Sequence, residues 1–296
     1  MKKTKVGIVG YGYVGKAMSR FFASHYDVVV WDPAYAHPMK ILPPAATEHT
    51  RNAYVRFAMT KESINDCDVA IVAVPTSPRE DGSCDVSLVE EAVQLLDVDL
   101  IIVKSTVEPG TVDRLKKETG KNIVFSPEYC GESSYWTPYA FHTDVKETPF
   151  FIFGGDPKDT SACIDLYAPI VGPTKIYRQT TALAAEIAKY IENTFYATKI
   201  LFCYEIKQIC DSLGTDYNEA RELWLLDPRL NPMHTSVFKD NDLPFSGKCF
   251  PKDLSALIAA SEKSGYDPKF LKEVKSSNAR IGALRAALHG VDNDKK

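Results

Sequence analysis

A glycine triplet constrains this chain more than any other feature. Lys5 to Val9 (K-V-G-I-V) is a short apolar run rich in β-branched residues, which reads as a buried strand. G-Y-G-Y-V-G follows at Gly10 to Gly15, and Ala17, Met18, Phe21 and Phe22 then fall at helical spacing. Strand, glycine turn and helix in this order form the dinucleotide-binding fingerprint in its required context. Gly10 permits the tight turn, Gly12 lets the backbone approach a pyrophosphate, and Gly15 lets helix pack on strand. The helix N-terminus supplies amide donors and positive potential for phosphates. Asp27 to Trp31 is the second strand, and it ends at Asp32, an acid that can accept hydrogen bonds from ribose hydroxyls. Pro33, Ala34 and Tyr35 come next, with no arginine or lysine, which favours NAD over NADP.

The first half continues as strands alternating with helices. Asp66–Val74, Leu100–Val103, Asn122–Phe125, Phe150–Phe153 and Lys175–Tyr177 read as strands. Helices are expected over Leu88–Leu96, after Thr111 as N-cap and before Gly120, and over Thr160–Tyr167. Pro33–Arg56, with four prolines, carries no assignment. The alternation implies a doubly wound parallel sheet, an α/β fold of Rossmann type. Ligands of such sheets bind beyond the carboxyl ends of the strands. Pro75-Thr76, Ser105-Thr106, Glu128 and Glu132 all follow such ends.

The second half reads as all-α. Thr181 opens a helical pattern that persists to about Leu213, with Gly214 beyond it; at 1.5 Å per residue it would span roughly 50 Å. Lys189 and Asn193 are four apart on it, so they share a face. A lysine and an amide facing one cleft can stabilise a developing oxyanion; a solvated outer face fits the spacing equally well. Tyr217–Leu226 is a short helix, and D-P-R-L-N-P is a turn that places Arg229 ahead of F-S-G-K-C-F-P-K-D (Phe245 to Asp253). There Cys249 lies between two lysines in a glycine-containing loop, and Pro251 and Asp253 suit the first turn of a helix. Such a thiol is expected to have a depressed pKa, which is what a nucleophilic cysteine needs. A helix to Lys263, a break at Gly265–Pro268 and a last helix from Phe270 to about Leu288 complete the chain. The expected domains are 1–179, the dinucleotide-binding part, and 180–296, the helical part.

Length and composition agree with two globular domains: 296 residues, 45% hydrophobic. The net charge of -4 argues against nucleic acid or an anionic membrane as partner. The seven cysteines are scattered and form no metal-ligand pattern, so reduced thiols, a cytoplasmic location and no metal site are expected. No signal-peptide or membrane-spanning stretch is recognisable.

Taken in order, several motifs resemble one family. They are G-Y-G-Y-V-G, V-P-T-S-P at Val74, D-G-S-C-D-V-S at Asp81, S-T-V-E-P-G-T at Ser105, S-P-E-Y at Ser126, A-E-I-A-K-Y-I-E-N-T-F at Ala185, D-P-R-L at Asp227 and S-G-K-C-F-P-K-D-L at Ser246. The chain is similar, from about Lys5 to Arg280, to the nucleotide-sugar 6-dehydrogenases, the UDP-glucose/GDP-mannose dehydrogenase family. The resemblance implies a four-electron oxidation of a sugar primary alcohol to a carboxylate with two NAD and one water. UDP-glucose is the expected substrate, and polysaccharide precursor supply the expected setting. It implies that Cys249 is the nucleophile, passing through a thiohemiacetal and a thioester. Lys189 and Asn193 would hold the oxygen, and Glu128, with Thr106 and Asp253, would orient or activate the hydrolytic water. The resemblance further implies NAD contacts from Gly10, Gly12, Tyr13, Val14, Gly15, Asp32, Val74, Pro75, Thr76, Thr106, Glu132 and Lys252. Substrate contacts would come from Glu128, Tyr129, Cys130, Gly131, Glu132, Lys189, Asn193, Arg229, Phe238, Ser246 and Gly247. Members dimerise on the long helix, so a homodimer through 181–213 is expected. Members usually continue into a third, Rossmann-like domain, whereas this sequence stops at Lys296, and the expectation is a truncated member. Two other readings remain: a two-electron β-hydroxyacid dehydrogenase, with no use for Cys249, and a silent NAD-binding protein that acts with a full-length enzyme.

Overall fold

The computed structural model describes residues 4–36, 55–130, 143–237 and 243–293. They fall into two compact units, Met1–Ser77 with Asp85–Lys189, and Pro78–Cys84 with Tyr190–Lys296.

The first unit is built on an eight-stranded sheet. Its strands are β1 (Lys5–Val9), β2 (Asp27–Trp31), β3 (Val55–Phe57), β4 (Val69–Val72), β5 (Leu100–Val103), β6 (Ile123–Phe125), β7 (Phe150–Gly154) and β8 (Ile176–Thr180). Their order is β3-β2-β1-β4-β5-β6-β7-β8, and every pair is parallel except β6 with β7. β5 is buried along its whole length and β1 and β4 nearly so, which is why these segments read as unbroken apolar runs. Helices α1 (Tyr13–Ala23), α2 (Ser87–Leu95), α3 (Thr111–Thr119) and α4 (Pro157–Val171) complete the unit. The ring of Tyr167 on α4 lies 5.1 Å from Phe21, 5.3 Å from Phe22 and 5.0 Å from Phe153, so one buried aromatic cluster joins α1, α4 and β7.

Register decides where the polar motifs go. Trp31 pairs with Val9, Val9 with Val72, Val72 with Val103, and Val103 with Phe125. Five strands therefore end level, and the segments starting at Asp32, Gly10, Ala73, Lys104 and Ser126 leave from one edge. The strand order reverses at β1 and β4, the crevice where doubly wound sheets take ligands.

Several boundaries differ from the sequence reading. The strand expected over Asp66–Val74 shrinks to β4, because Lys61–Asp66 is a 3-10 turn closed by the Cys67 N–H on the Ile64 carbonyl. α4 begins at Pro157, a favoured first helical residue, and outruns the expected Thr160–Tyr167. Thr111 is not the N-cap of α3 but its first helical residue. The cap is Gly110, whose φ of 91° suits glycine.

The helical part begins with α5 (Ala182–Leu213), 32 residues and about 48 Å long; the boundary between the units falls after its Lys189. α6 (Tyr217–Trp224), α7 (Phe250–Lys263) and α8 (Lys269–Asn293) follow. Leu201, Tyr204, Phe245, Leu254, Ile258, Val274 and Ile281 form the core of the second unit. Gly214, at φ 74°, ends α5, and Gly265, at φ 89°, follows α7.

Candidate active site

In the first unit the glycines divide their tasks as their spacing requires. Gly10 turns at φ 96°, and a Cβ there would press on the Ala73 carbonyl. A Cβ on Gly15 would run into the Gly10 carbonyl, so only glycine lets α1 pack this closely on the turn. A Cβ on Gly12 would meet nothing, so this position keeps its face open to a ligand. Among its first residues α1 has no acidic side chain, and no side chain caps it, which leaves its N-terminal amides to an anion. Tyr13 and Val14 open this helix. Asp32 is held on both oxygens: Oδ2 accepts from the Tyr11 N–H (2.7 Å) and Oδ1 from the Ala34 N–H (2.8 Å). An open glycine face, uncapped amides and a fixed acid one strand away fit NAD.

At the next loops, Ser105 Oγ donates to the Val74 carbonyl (2.7 Å), which ties the segment after β5 to the one carrying Pro75 and Thr76. Thr106 follows, half-buried. Glu128 Oε1 accepts from the Tyr129 (2.8 Å) and Cys130 (3.0 Å) amides, and Oε2 lies 3.5 Å from the Lys104 ammonium. Burial pushes the Glu128 carboxyl up, but Lys104 and the two amides outweigh it and hold the group below its ordinary range. The Lys189 ammonium stands 4.9 Å from the centre of the Tyr129 ring, a cation–π contact.

Two groups of the first unit carried no expectation. Lys104 is 4% exposed, and the signal was an ammonium at the end of the apolar run I-I-V-K. Glu186, three residues before Lys189, is fully buried. Its Oε2 accepts from the Gly110 N–H (2.5 Å) and its Oε1 from the Val112 N–H (2.9 Å), so a distant carboxylate satisfies the start of α3. No local pattern near Thr111 announces it.

In the second unit, Asn193, Lys252 and Asp253 come together. Asn193 Nδ2 donates to Asp253 Oδ2 (2.5 Å), and Lys252 Nζ donates to Asp253 Oδ1 (2.6 Å). Asn193 and Asp253 are both buried. The Asp253 N–H donates to the Cys249 carbonyl (2.8 Å), which makes Cys249 the residue from which α7 starts. Of the seven cysteines Cys249 alone is exposed. Its loop enters through Phe245, whose N–H and carbonyl both bond the side chain of buried Asn278 at 3.0 Å. Ser246 and Gly247 are exposed, and Gly247 turns at φ 82°. The Arg229 guanidinium is exposed and paired with Asp227. Gly131, Glu132 and Phe238 lie outside the described residues. Among the described residues no helix is long and apolar enough to cross a membrane.

Comparison with known proteins yields a family. Residues 4–171 match the NAD binding domain of the UDP-glucose/GDP-mannose dehydrogenase family, and residues 183–280 match its central domain. A putative UDP-glucose 6-dehydrogenase of Bacillus subtilis is 30% identical over 300 residues, covering 93% of this chain and 67% of its own length. A UDP-glucose 6-dehydrogenase of Haloferax volcanii is 30% identical over 313 residues, covering 93% of this chain and 69% of its own. The structure of a UDP-glucose dehydrogenase from Pyrobaculum islandicum aligns with a TM-score of 0.77 at 27% identity, over 96% of this chain and 68% of that one. This chain thus spans about two thirds of the length of these relatives.

Proposed function

We infer the activity from one premise: the chain belongs to the UDP-glucose/GDP-mannose dehydrogenase family, and its cofactor is NAD. It oxidises the primary alcohol of a nucleotide sugar to the carboxylate, with UDP-glucose as substrate and UDP-glucuronate, a polysaccharide precursor, as product. NAD, when bound, supplies the hydride acceptor, two equivalents per sugar. Cys249 makes the reaction a four-electron one. Its thiolate adds to the carbonyl carbon of the aldehyde; a C–S bond forms and the carbonyl electron pair moves to oxygen, which takes a proton. Loss of the second hydride, with release of that oxygen's proton to solvent, leaves a thioester. Water then attacks that carbon, the C–S bond breaks, the sulfur leaves as thiolate, and the two protons of the water pass to solvent.

The other groups take roles that suit their chemistry. The Lys189 ammonium and the Asn193 amide stabilise the oxygen as charge develops on it. Asp253 fixes the Asn193 amide and the Lys252 ammonium. Glu128 and Thr106 hold the hydrolytic water. The aromatic Tyr129, with Arg229 and the Ser246-Gly247 loop, contacts the sugar nucleotide. The chain acts as a homodimer through α5.

The observation that carries this reading is the placement of Cys249, the one exposed thiol of seven, at the start of a helix whose first turn holds a buried acid. The test is NADH formed per UDP-glucose consumed with NAD in excess. Two are expected, and Cys249→Ala should form no acid. One NADH per sugar, or acid from the alanine variant, removes Cys249 from the mechanism.

A further inference from the structure

The water step of the proposed reaction leaves one matter open: whether Glu128 takes the proton of the attacking water or only orients it. Lys104 bears on this. It directly follows β5, and its backbone N–H is tied to the Val72 carbonyl (2.8 Å). Its side chain is 2% exposed. A buried ammonium needs an acceptor for each of its three protons. Two bond it, Ser126 Oγ at 3.1 Å and the Pro127 carbonyl at 3.2 Å, and Glu128 Oε2 faces it at an ion-pair distance of 3.5 Å. All three belong to consecutive residues of S-P-E. One ammonium thus fixes the segment that carries Glu128, while the Tyr129 and Cys130 amides fix its other oxygen.

We propose that Lys104 is a positioning residue that keeps Glu128 a permanent carboxylate in one orientation, so that Glu128 accepts a hydrogen bond from water without taking its proton. This rests on the nucleotide-sugar dehydrogenase reading for the water step alone. The ion pair stands whether or not that reading does. Among the described residues, the titratable groups around the pair are three thiol or phenol groups and two carboxylates. The Cys130 and Cys163 thiols and the Tyr167 phenol are all pushed up by burial and so stay neutral. The two carboxylates are Asp144, near Cys130, and Asp159, near Cys163 and 3.6 Å from the Lys116 ammonium. A carboxylate stabilised by a buried ammonium and two amides is a weak base, and a weak base is a poor proton acceptor at neutral pH. Its value lies in aim.

The experiment is a direct titration of Glu128 in the full chain by isotope-edited infrared spectroscopy, with Glu128→Gln as the subtraction that assigns the band. The carboxylate band is expected to persist unchanged from pH 9 to pH 5. In Lys104→Met the titration should move up by about 2 pH units, and Lys104→Arg, which keeps the charge, should restore it. Titration of wild-type Glu128 above pH 5 overturns the proposal, as does an unshifted titration in a folded Lys104→Met. Should the methionine variant fail to fold, the wild-type titration and the arginine variant still decide. Where turnover is measured, acid release by the wild type should show no inflection from Glu128 between pH 5 and 9. A chain that turns over no nucleotide sugar leaves the titration interpretable, so failure of the activity reading and failure of this proposal are told apart.

Discussion

Two glutamates of the first unit, Glu186 buried and Glu128 partly so, have opposite electrostatic fates. Glu128 has an ammonium beside it and is held low, whereas Glu186 has only two backbone amides, and burial raises it to about 7. The consequence for stability has a definite sign. The unfolded Glu186 carboxyl titrates near its ordinary 4.5, so between 4.5 and about 7 the folded chain binds the extra proton. Stability from this group is full below pH 4.5, falls as pH rises through that window, and is level above it. A difference of that size corresponds to roughly 3 kcal/mol. Urea unfolding of wild type and Glu186→Gln at pH 5 and pH 8 checks it. The glutamine, which cannot ionise, should be relatively more stable at pH 8, and equal pH dependence in the two proteins rules the effect out. Gly12 and Gly15 offer a second contrast. Gly15→Ala forces backbone apart and should lower Tm by several degrees, since about 1 kcal/mol moves a domain of this size by 2–4 °C. Gly12→Ala meets open space and should leave Tm unchanged while weakening NAD at least about tenfold, because the methyl occupies the pyrophosphate's approach. Calorimetry and NAD titration of both separate the two glycines; equal losses of Tm would refute the division of tasks.

Elements set by local chemistry are legible in the sequence itself. β1, β4 and β5 show themselves as apolar runs because both faces are buried, and α7 shows its start through Pro251 and Asp253. The polar motifs were expected beyond the carboxyl ends of the strands, and the register from Trp31 to Phe125 brings five of those ends level. What escaped the sequence depends on partners far along the chain. Thr111 looks like a cap, yet the start of α3 is satisfied by Glu186, more than 70 residues on. The antiparallel pairing of β7 with β6 leaves no trace in β7's composition, since a buried strand reads alike in either direction. Lys104 carried no expectation, and its task shows only once Ser126, Pro127 and Glu128 are folded against it. The same holds for Asn193, whose spacing from Lys189 suggested a shared face but whose amide is held by Asp253, 60 residues away.

For the molecule as a whole, the surface of α5 raises the question of a partner. Ile191, Phe195, Phe202, Ile209 and Leu213 are all exposed, at steps of four, seven, seven and four. At about 100° per residue those steps return to within about 40° of one another, so the five side chains form a single stripe. On α6, Leu223 and Trp224 are exposed as well, and the Trp224 ring lies 6.3 Å from Phe202. An apolar stripe of this kind costs free energy wherever water reaches it. A second copy presenting the same stripe would cover it symmetrically, as a two-fold interface requires. The proposed homodimer therefore makes two linked predictions. Light scattering behind size exclusion should give twice the chain mass for wild type and the single mass for Phe202→Glu, with helix content unchanged by circular dichroism. Mass action adds a check that needs no separation: association stabilises the folded state, so the wild-type Tm should climb with protein concentration while that of Phe202→Glu stays flat. A monomeric wild type, or a Phe202→Glu protein that still doubles its mass, would move the interface away from α5.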